Sequence, residues 1–216
     1  MVKVSGKWLG ICMIFSFLSY GIGMGLMEVI NKPALQPLQV LEQRNKIITG
    51  GILVTVFHSL FNMVWLVVMY GRLAIFHHML SRFYLGAGLI ATVMLAIGGV
   101  SMLLPVSLSN SAGNDQLWFS AFVIWSSAIN FYAYQTGMFI WGIGGLAFCY
   151  LLNRSHFAPP VFPVWGSIGY LIFITGTILE LFGIAAGVAL SIPAGLFEIA
   201  LSVWIIKNGF AKTDTV

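Results

Sequence analysis

The sequence predicts an all-α polytopic membrane protein, with six transmembrane helices, one interfacial amphipathic helix and both termini in the cytoplasm. Three observations predict it. Charged residues are only 7% of the 216, against about 25% in a soluble domain. So few charges cannot cover a water-facing surface, so most of the surface faces lipid. Apolar runs recur at about 20 residues, the length a helix needs to cross the hydrocarbon core. The basic residues divide unevenly among the connecting segments, as the positive-inside bias requires. The whole chain, 1–216, reads as one membrane domain.

The elements follow in order. The opening MVKVSGKWLG and the apolar run behind it imitate a signal peptide. No A-x-A site follows, and the run at 8–30 is long enough to span, so a retained first helix is expected. Residues 31–46 carry Pro33, Pro37 and alternating polar residues, which predicts an outer loop with one short helix. The second crossing is 48–70. His77 and His78 lie in the next connection. The third crossing, 83–104, stops at Pro105, and 107–115 is a Ser/Asn/Gly loop. The stretch 116–130 is short of a span. Gln116, Ser120 and Ser127 fall on one helical face, opposite Trp118, Phe122 and Trp125, which predicts a helix lying in the interface. The fourth crossing is then 133–152. Pro159, Pro160 and Pro163 force a break, and the last crossings are 161–184 and 188–206.

Charge decides the count. With six crossings, Lys3, Lys7, Arg72, Arg82, Arg154, Lys207 and Lys212 lie inside, and Lys32, Arg44 and Lys46 outside. A seventh crossing at 116–130 would move Arg154, Lys207 and Lys212 outside and reverse the bias. Six helices in two halves of three would have opposite topology, as in inverted-repeat transporters. That follows from parity alone, since no sequence repeat is present.

Composition also excludes functions. The net charge of +4 is scattered, and without a basic cluster no nucleic-acid partner is expected. Cys12 and Cys149 each sit inside an apolar run, where they read as small packing residues. Gly21-x-Gly23-x-Gly25 lacks the strand-to-helix setting of a nucleotide loop. Only one histidine lies within an apolar run, too few for a doubly ligated haem. No H-E-x-x-H or C-x-x-C spacing is present. No cofactor and no metal are therefore expected. His77, His78 and His156 read as solvated loop residues.

Four ionisable residues lie within the apolar runs: Glu28, His58, Glu180 and Glu198. Each costs a few kcal/mol or more unless it faces the bundle interior. Helical spacing puts each on a stripe with small or polar residues. Glu28 shares one with Gly21 and Gly25. His58 shares one with Gly51, Thr55 and Asn62. Glu180 aligns with Gly166, Gly169, Phe173 and Gly176, and Glu198 with Ser191, Gly195 and Ser202. Small residues mark faces where membrane helices approach. His58 and Glu198 each come ten residues into their predicted crossings, roughly 15 Å deep. This predicts a polar pocket open to the outside. His58 and Glu198 form its floor, Glu28 and Glu180 lie near its mouth, and Asn62 and Gln135 stand beside them. Pro193, just above Glu198, can leave a carbonyl free there. The structural reading stands beside this one: carboxyls hydrogen-bonded across helices or solvated near helix ends, and a histidine that bonds two helices together.

Arg154-Ser155, Pro159, an apolar helix, then Pro193, Glu198 and the run Trp204-Ile205-Ile206-Lys207-Asn208-Gly209-Phe210 resemble a family of small bacterial integral membrane proteins, the domain of unknown function numbered 4386. Tyr150 ahead of Arg154, and Pro33 and Pro37 before Leu41-Glu42, are similar in layout. Lys207-Asn208-Gly209 carries one residue more than the family's Lys-Gly-Phe pattern. The resemblance implies a multi-pass protein of the bacterial cell (inner) membrane, points to Glu198, and supplies no chemistry.

The function expected is a proton-linked or small-molecule-binding transporter or sensor, with the lipid bilayer and a small molecule or proton as partners. The alternatives are a membrane-embedded enzyme using His58 and Glu198 on a lipid-like substrate, and an assembly subunit without a ligand.

Overall fold

Backbone donors and acceptors cannot stay unpaired in hydrocarbon, so a chain this apolar folds into helices. The computed structural model describes residues 6–32, 35–109 and 116–209, which contain helices and turns and no strand. The helices are α1 (Gly6–Met27), α2 (Pro37–Glu42), α3 (Arg44–Ile52), α4 (Ser59–Leu73), α5 (His78–Ser101), α6 (Leu104–Ser109), α7 (Gln116–Ser155), α8 (Val161–Leu181) and α9 (Gly187–Asn208). A 3₁₀ turn, Glu28–Asn31, extends α1, and a π-helical turn, Leu53–His58, joins α3 to α4. Six stretches are long and apolar enough to cross a membrane: Gly6–Asn31, Arg44–Leu73, His78–Ser109, Leu117–Ser155, Val161–Leu181 and Gly187–Asn208. Their number is that predicted, and each overlaps one predicted crossing. Lys3, Pro33, most of the 107–115 loop, Phe210 and Lys212 lie outside the described residues.

One element differs in its boundaries. Residues 116–130 are helical, but they are the first part of α7, a continuous helix of 40 residues. No glycine or proline occurs between Gln116 and Thr136, so nothing in the sequence ends the helix before the crossing begins. The segment is two-sided, but its buried stripe belongs to neither of the two predicted faces, and Ser120, Phe122 and Ser127 are all half-buried. Phe119, Val123, Ser126 and Asn130 are buried, and Trp118, Ile124, Trp125 and Ile129 are exposed.

The helix ends have local causes. Pro37 occupies the first turn of α2, and Gln36 and Gln39 form a reciprocal capping box. The Leu80 amide donates to Nδ1 of His77 at the start of α5, 3.2 Å. Pro160 caps α8. At its far end the amides of Gly183 and Ile184 donate back to the carbonyls of Glu180 and Leu179, at 2.9 and 3.0 Å. This is a Schellman closure, and it holds Gly183 at φ 80°. A Cβ at Gly183 would meet nothing within 4 Å, so Gly183→Ala tests backbone strain alone. It is expected to lower stability by about 1–2 kcal/mol, read as a lower unfolding midpoint in bicelles. An unchanged midpoint would show that the turn carries no strain.

The chain forms two compact units. The first comprises the described residues of Met1–Phe15, Phe61–Thr92 and Gln135–Val216. Its core joins Leu9, Trp65, Met69, Phe148, Leu152, Phe173, Phe197 and Leu201. α8 and α9 pack directly through small residues. A Cβ at Gly169 would lie 3.1 Å from the Ala194 backbone, and one at Gly176 would lie 2.7 Å from Leu190 Cβ. In a bilayer, where burial against lipid supplies little drive, such close approach is what holds helices together.

The second unit comprises Ser16–Leu60 and Val93–Tyr134. Its core contains Met27, Ile30, Val40, Ile47, Val54, Met102 and Phe119. α2 packs on α6. α1 and α3 cross where a Cβ on Gly23 would come within 2.7 Å of the Gly50 carbonyl oxygen.

Candidate functional site

Glu198 lies in the middle of α9 and is 8% exposed. The small residues of α8 that seat it against α9 also bring Tyr170, beside Gly169, onto the packed face. The Tyr170 hydroxyl donates to Oε1 of Glu198, 2.6 Å. The Trp141 indole N–H on α7 donates to the same oxygen, 2.8 Å. Gly145, one turn beyond Trp141, lets Tyr170 lie close to α7, because a Cβ there would enter the phenol ring. The Glu198 backbone carbonyl accepts from Ser202 Oγ, 2.7 Å. Both partners of the carboxyl group are neutral, so no cation fixes it as an anion. The Pro193 carbonyl above it accepts from the Trp165 indole, 3.1 Å.

A cavity of about 10 Å³ adjoins Glu198, the lower limit for one water-sized occupant. Its wall carries one carboxyl and six aromatic side chains, Trp65, Tyr84, Trp141, Phe148, Tyr170 and Phe197. Tyr84 is 3% exposed and stacks on Phe148 with centroids 5.2 Å apart. Its hydroxyl is buried without a well-formed hydrogen bond, and the Trp65 side chain faces it but falls short of that geometry.

His58 belongs to the second unit and closes the π-helical turn, a local widening frequent at functional sites. Its Nδ1 lies 3.1 Å from the Ser16 carbonyl and 3.0 Å from Ser16 Oγ. A carbonyl only accepts, so the hydrogen-bond network assigns the proton to Nδ1. Ser16 Oγ donates to the His58 carbonyl, 3.4 Å. The Tyr20 ring packs against the imidazole at 5.1 Å. Nε2 is buried without a partner. His58 thus bonds α1 to the turn before α4 through one nitrogen and leaves the other uncommitted.

The remaining predicted residues have their own partners. Asn62 donates to Thr92 Oγ1, 2.6 Å, and Thr92 donates to the Gly88 carbonyl, 2.8 Å, which clasps α4 to α5. Glu180 accepts from the Gly187 amide, 2.8 Å, at the start of α9. That is a capping position, favoured for a carboxylate by the helix dipole. Gln135 is buried in α7. Glu28 is exposed in the 3₁₀ turn. Asn62 and Glu180 share the unit of Glu198 but bond elsewhere, while His58 and Glu28 belong to the other unit. Trp141, Tyr170 and Tyr84 are the site residues that sequence reasoning missed. A signal was present for Tyr170. A hydroxyl on the glycine stripe of a membrane helix faces a neighbouring helix and needs a partner there.

Among the described residues, no three His, Cys, Asp or Glu side chains gather as a metal site would require. Cys12 and Cys149 are free thiols. The Glu198 arrangement can exchange a proton or face a hydrogen-donating group.

Six membrane-length helices and a buried carboxyl in a helical core define a multi-pass α-helical membrane protein. The chain belongs to the family described as domain of unknown function (DUF4386), whose model matches residues 5–209. No curated protein and no solved structure matches it.

Proposed function

We propose that the protein is a proton-linked transporter or sensor of the bacterial inner membrane, with Glu198 and the cavity beside it as its proton-exchanging site. The observation that carries this is a mid-helix carboxyl, buried in the core of the first unit, bound by two neutral donors and adjoining a cavity. A buried carboxyl that served only to join helices would need no cavity beside it. Membrane carboxyls facing an internal space are the usual sites of proton and ion pathways. Tyr84 and Phe148 on the cavity wall stand close in the chain to Arg82 and Arg154, which the positive-inside bias places in the cytoplasm, so this cavity lies nearer the inner side than the outward-open pocket the sequence predicts.

The two donors share Oε1, and a carboxylate oxygen has two lone pairs. A proton arriving at Glu198 therefore takes Oε2. The test is difference infrared spectroscopy of the protein in lipid across a pH step. We expect a protonated-carboxyl C=O band that appears and disappears with pH and is absent from Glu198→Gln. A spectrum with no pH-dependent band assignable to Glu198 would overturn the reading.

A further inference from the structure

The cavity beside Glu198 is selective in chemistry as well as size. Its volume of about 10 Å³ admits one water-sized occupant. Both donors to Glu198 use Oε1, which leaves Oε2 to meet whatever enters. A second polar atom, the Tyr84 hydroxyl oxygen, is buried at the wall without a well-formed hydrogen bond and faces the Trp65 side chain, in a fold where such groups are nearly always bonded. The rest of the wall is largely aromatic, with Trp65, Trp141 and Tyr170 among the rings.

Other occupants fit this wall poorly. An anion would face a carboxyl and the negative faces of aromatic rings. Calcium and magnesium take about six to eight oxygen ligands, far more than this wall supplies. A sugar or other polyol exceeds the volume. A small cation with several N–H donors matches every part. It donates to Glu198 Oε2 and to the Tyr84 oxygen, and turns its remaining surface to the rings, where a cation is attracted by the quadrupole, most strongly when desolvated.

We infer that the cavity binds an ammonium ion between the Glu198 carboxyl, the Tyr84 hydroxyl and the aromatic wall. This rests on the reading of Glu198 as an exchanging carboxyl. It makes the protein a transporter or sensor of ammonium, in which the cation replaces the proton on Glu198.

The test is titration of the full-length protein in nanodiscs with ammonium chloride, against sodium chloride at equal ionic strength. Tryptophan fluorescence and the Glu198 infrared band are both read. The wild type is expected to show a saturable fluorescence change with ammonium and none with sodium, together with loss of the protonated-carboxyl band. Glu198→Gln is expected to weaken binding at least about tenfold and Tyr84→Phe about threefold, from loss of the charge and of one acceptor. If Glu198→Gln does not fold, Tyr84→Phe and the comparison of the two cations decide. A carboxyl band that responds to pH but not to ammonium overturns the ammonium assignment and leaves the proton reading standing. Absence of any response from Glu198 overturns both. An equal response to sodium, or unchanged affinity in Tyr84→Phe, also rules out the proposed cage.

Discussion

Gly169→Leu is expected to abolish the folded, monodisperse protein. A Cβ at this position would lie 3.1 Å from both the nitrogen and the Cα of Ala194 and 3.2 Å from the Pro193 carbonyl carbon. These are backbone atoms of α9, and they cannot rotate aside as a side-chain tip would. Overpacking by even a few methylenes costs about 1–3 kcal/mol where neighbours can adjust, and here they cannot. Gly169→Ala, with one methyl, should fall in that range and remain folded. Size-exclusion chromatography and thermal unfolding of the pair give the measurement. A leucine variant that elutes and melts like the wild type would show that α8 and α9 are not held at this distance.

Glu198→Ala is the second large effect, because it strips the acceptor from two interior donors at once. Interhelical hydrogen bonds in membranes average about 0.6 kcal/mol each and reach about 1.7. Two of them imply a loss of about 1–3 kcal/mol. Glu198→Gln keeps a carbonyl oxygen for Tyr170 and Trp141 and is expected to lose less than half as much. The contrast separates structure from chemistry. Equilibrium unfolding in mixed micelles should rank wild type above Gln and Gln above Ala, while only the wild type shows the pH-dependent carboxyl band. Equal midpoints for all three would mean that the hydrogen bonds to Oε1 contribute nothing.

The membrane fold was legible because hydrocarbon imposes a length on every apolar run; five runs met it plainly, and the distribution of Lys and Arg settled the sixth within 116–152. The start of α7 was misdivided because amphipathy and length describe a segment's surroundings and do not report where a helix ends. Only a breaker would have done that, and none occurs there. Glu198 stood out because a carboxylate inside an apolar run has few explanations. Its partners did not, since 14% of the chain is aromatic and spacing alone cannot select which tryptophan turns inward. Tyr170, on the glycine stripe of α8, could be expected to need a partner on a neighbouring helix, but that the partner is Glu198 follows only from how closely the helices approach at Gly145 and Gly169. Glu180 looked like Glu198 in sequence, yet it caps α9. Glu180 stands one residue from the end of α8 and Glu198 ten from the end of α9, a difference of about two and a half turns that changes the role.

The length of α7 sets how the chain lies in the bilayer. Forty residues make a rod of about 60 Å, against a hydrocarbon layer of about 30 Å. Membrane helices tilt by up to about 40°, and even then this rod stands about 46 Å tall along the membrane normal. Arg154, exposed near its C-terminal end, belongs at a membrane surface. Counting back from there, the helix leaves hydrocarbon about 20 residues away if upright and about 26 if fully tilted. The first three turns of α7 therefore stand among the headgroups or beyond them at every permitted tilt. Trp118 and Trp125 are exposed on those turns, in the layer where indole rings sit most favourably. The fourth crossing thus carries its own mooring, and the interfacial character of 116–130 comes from the excess length of a single rod.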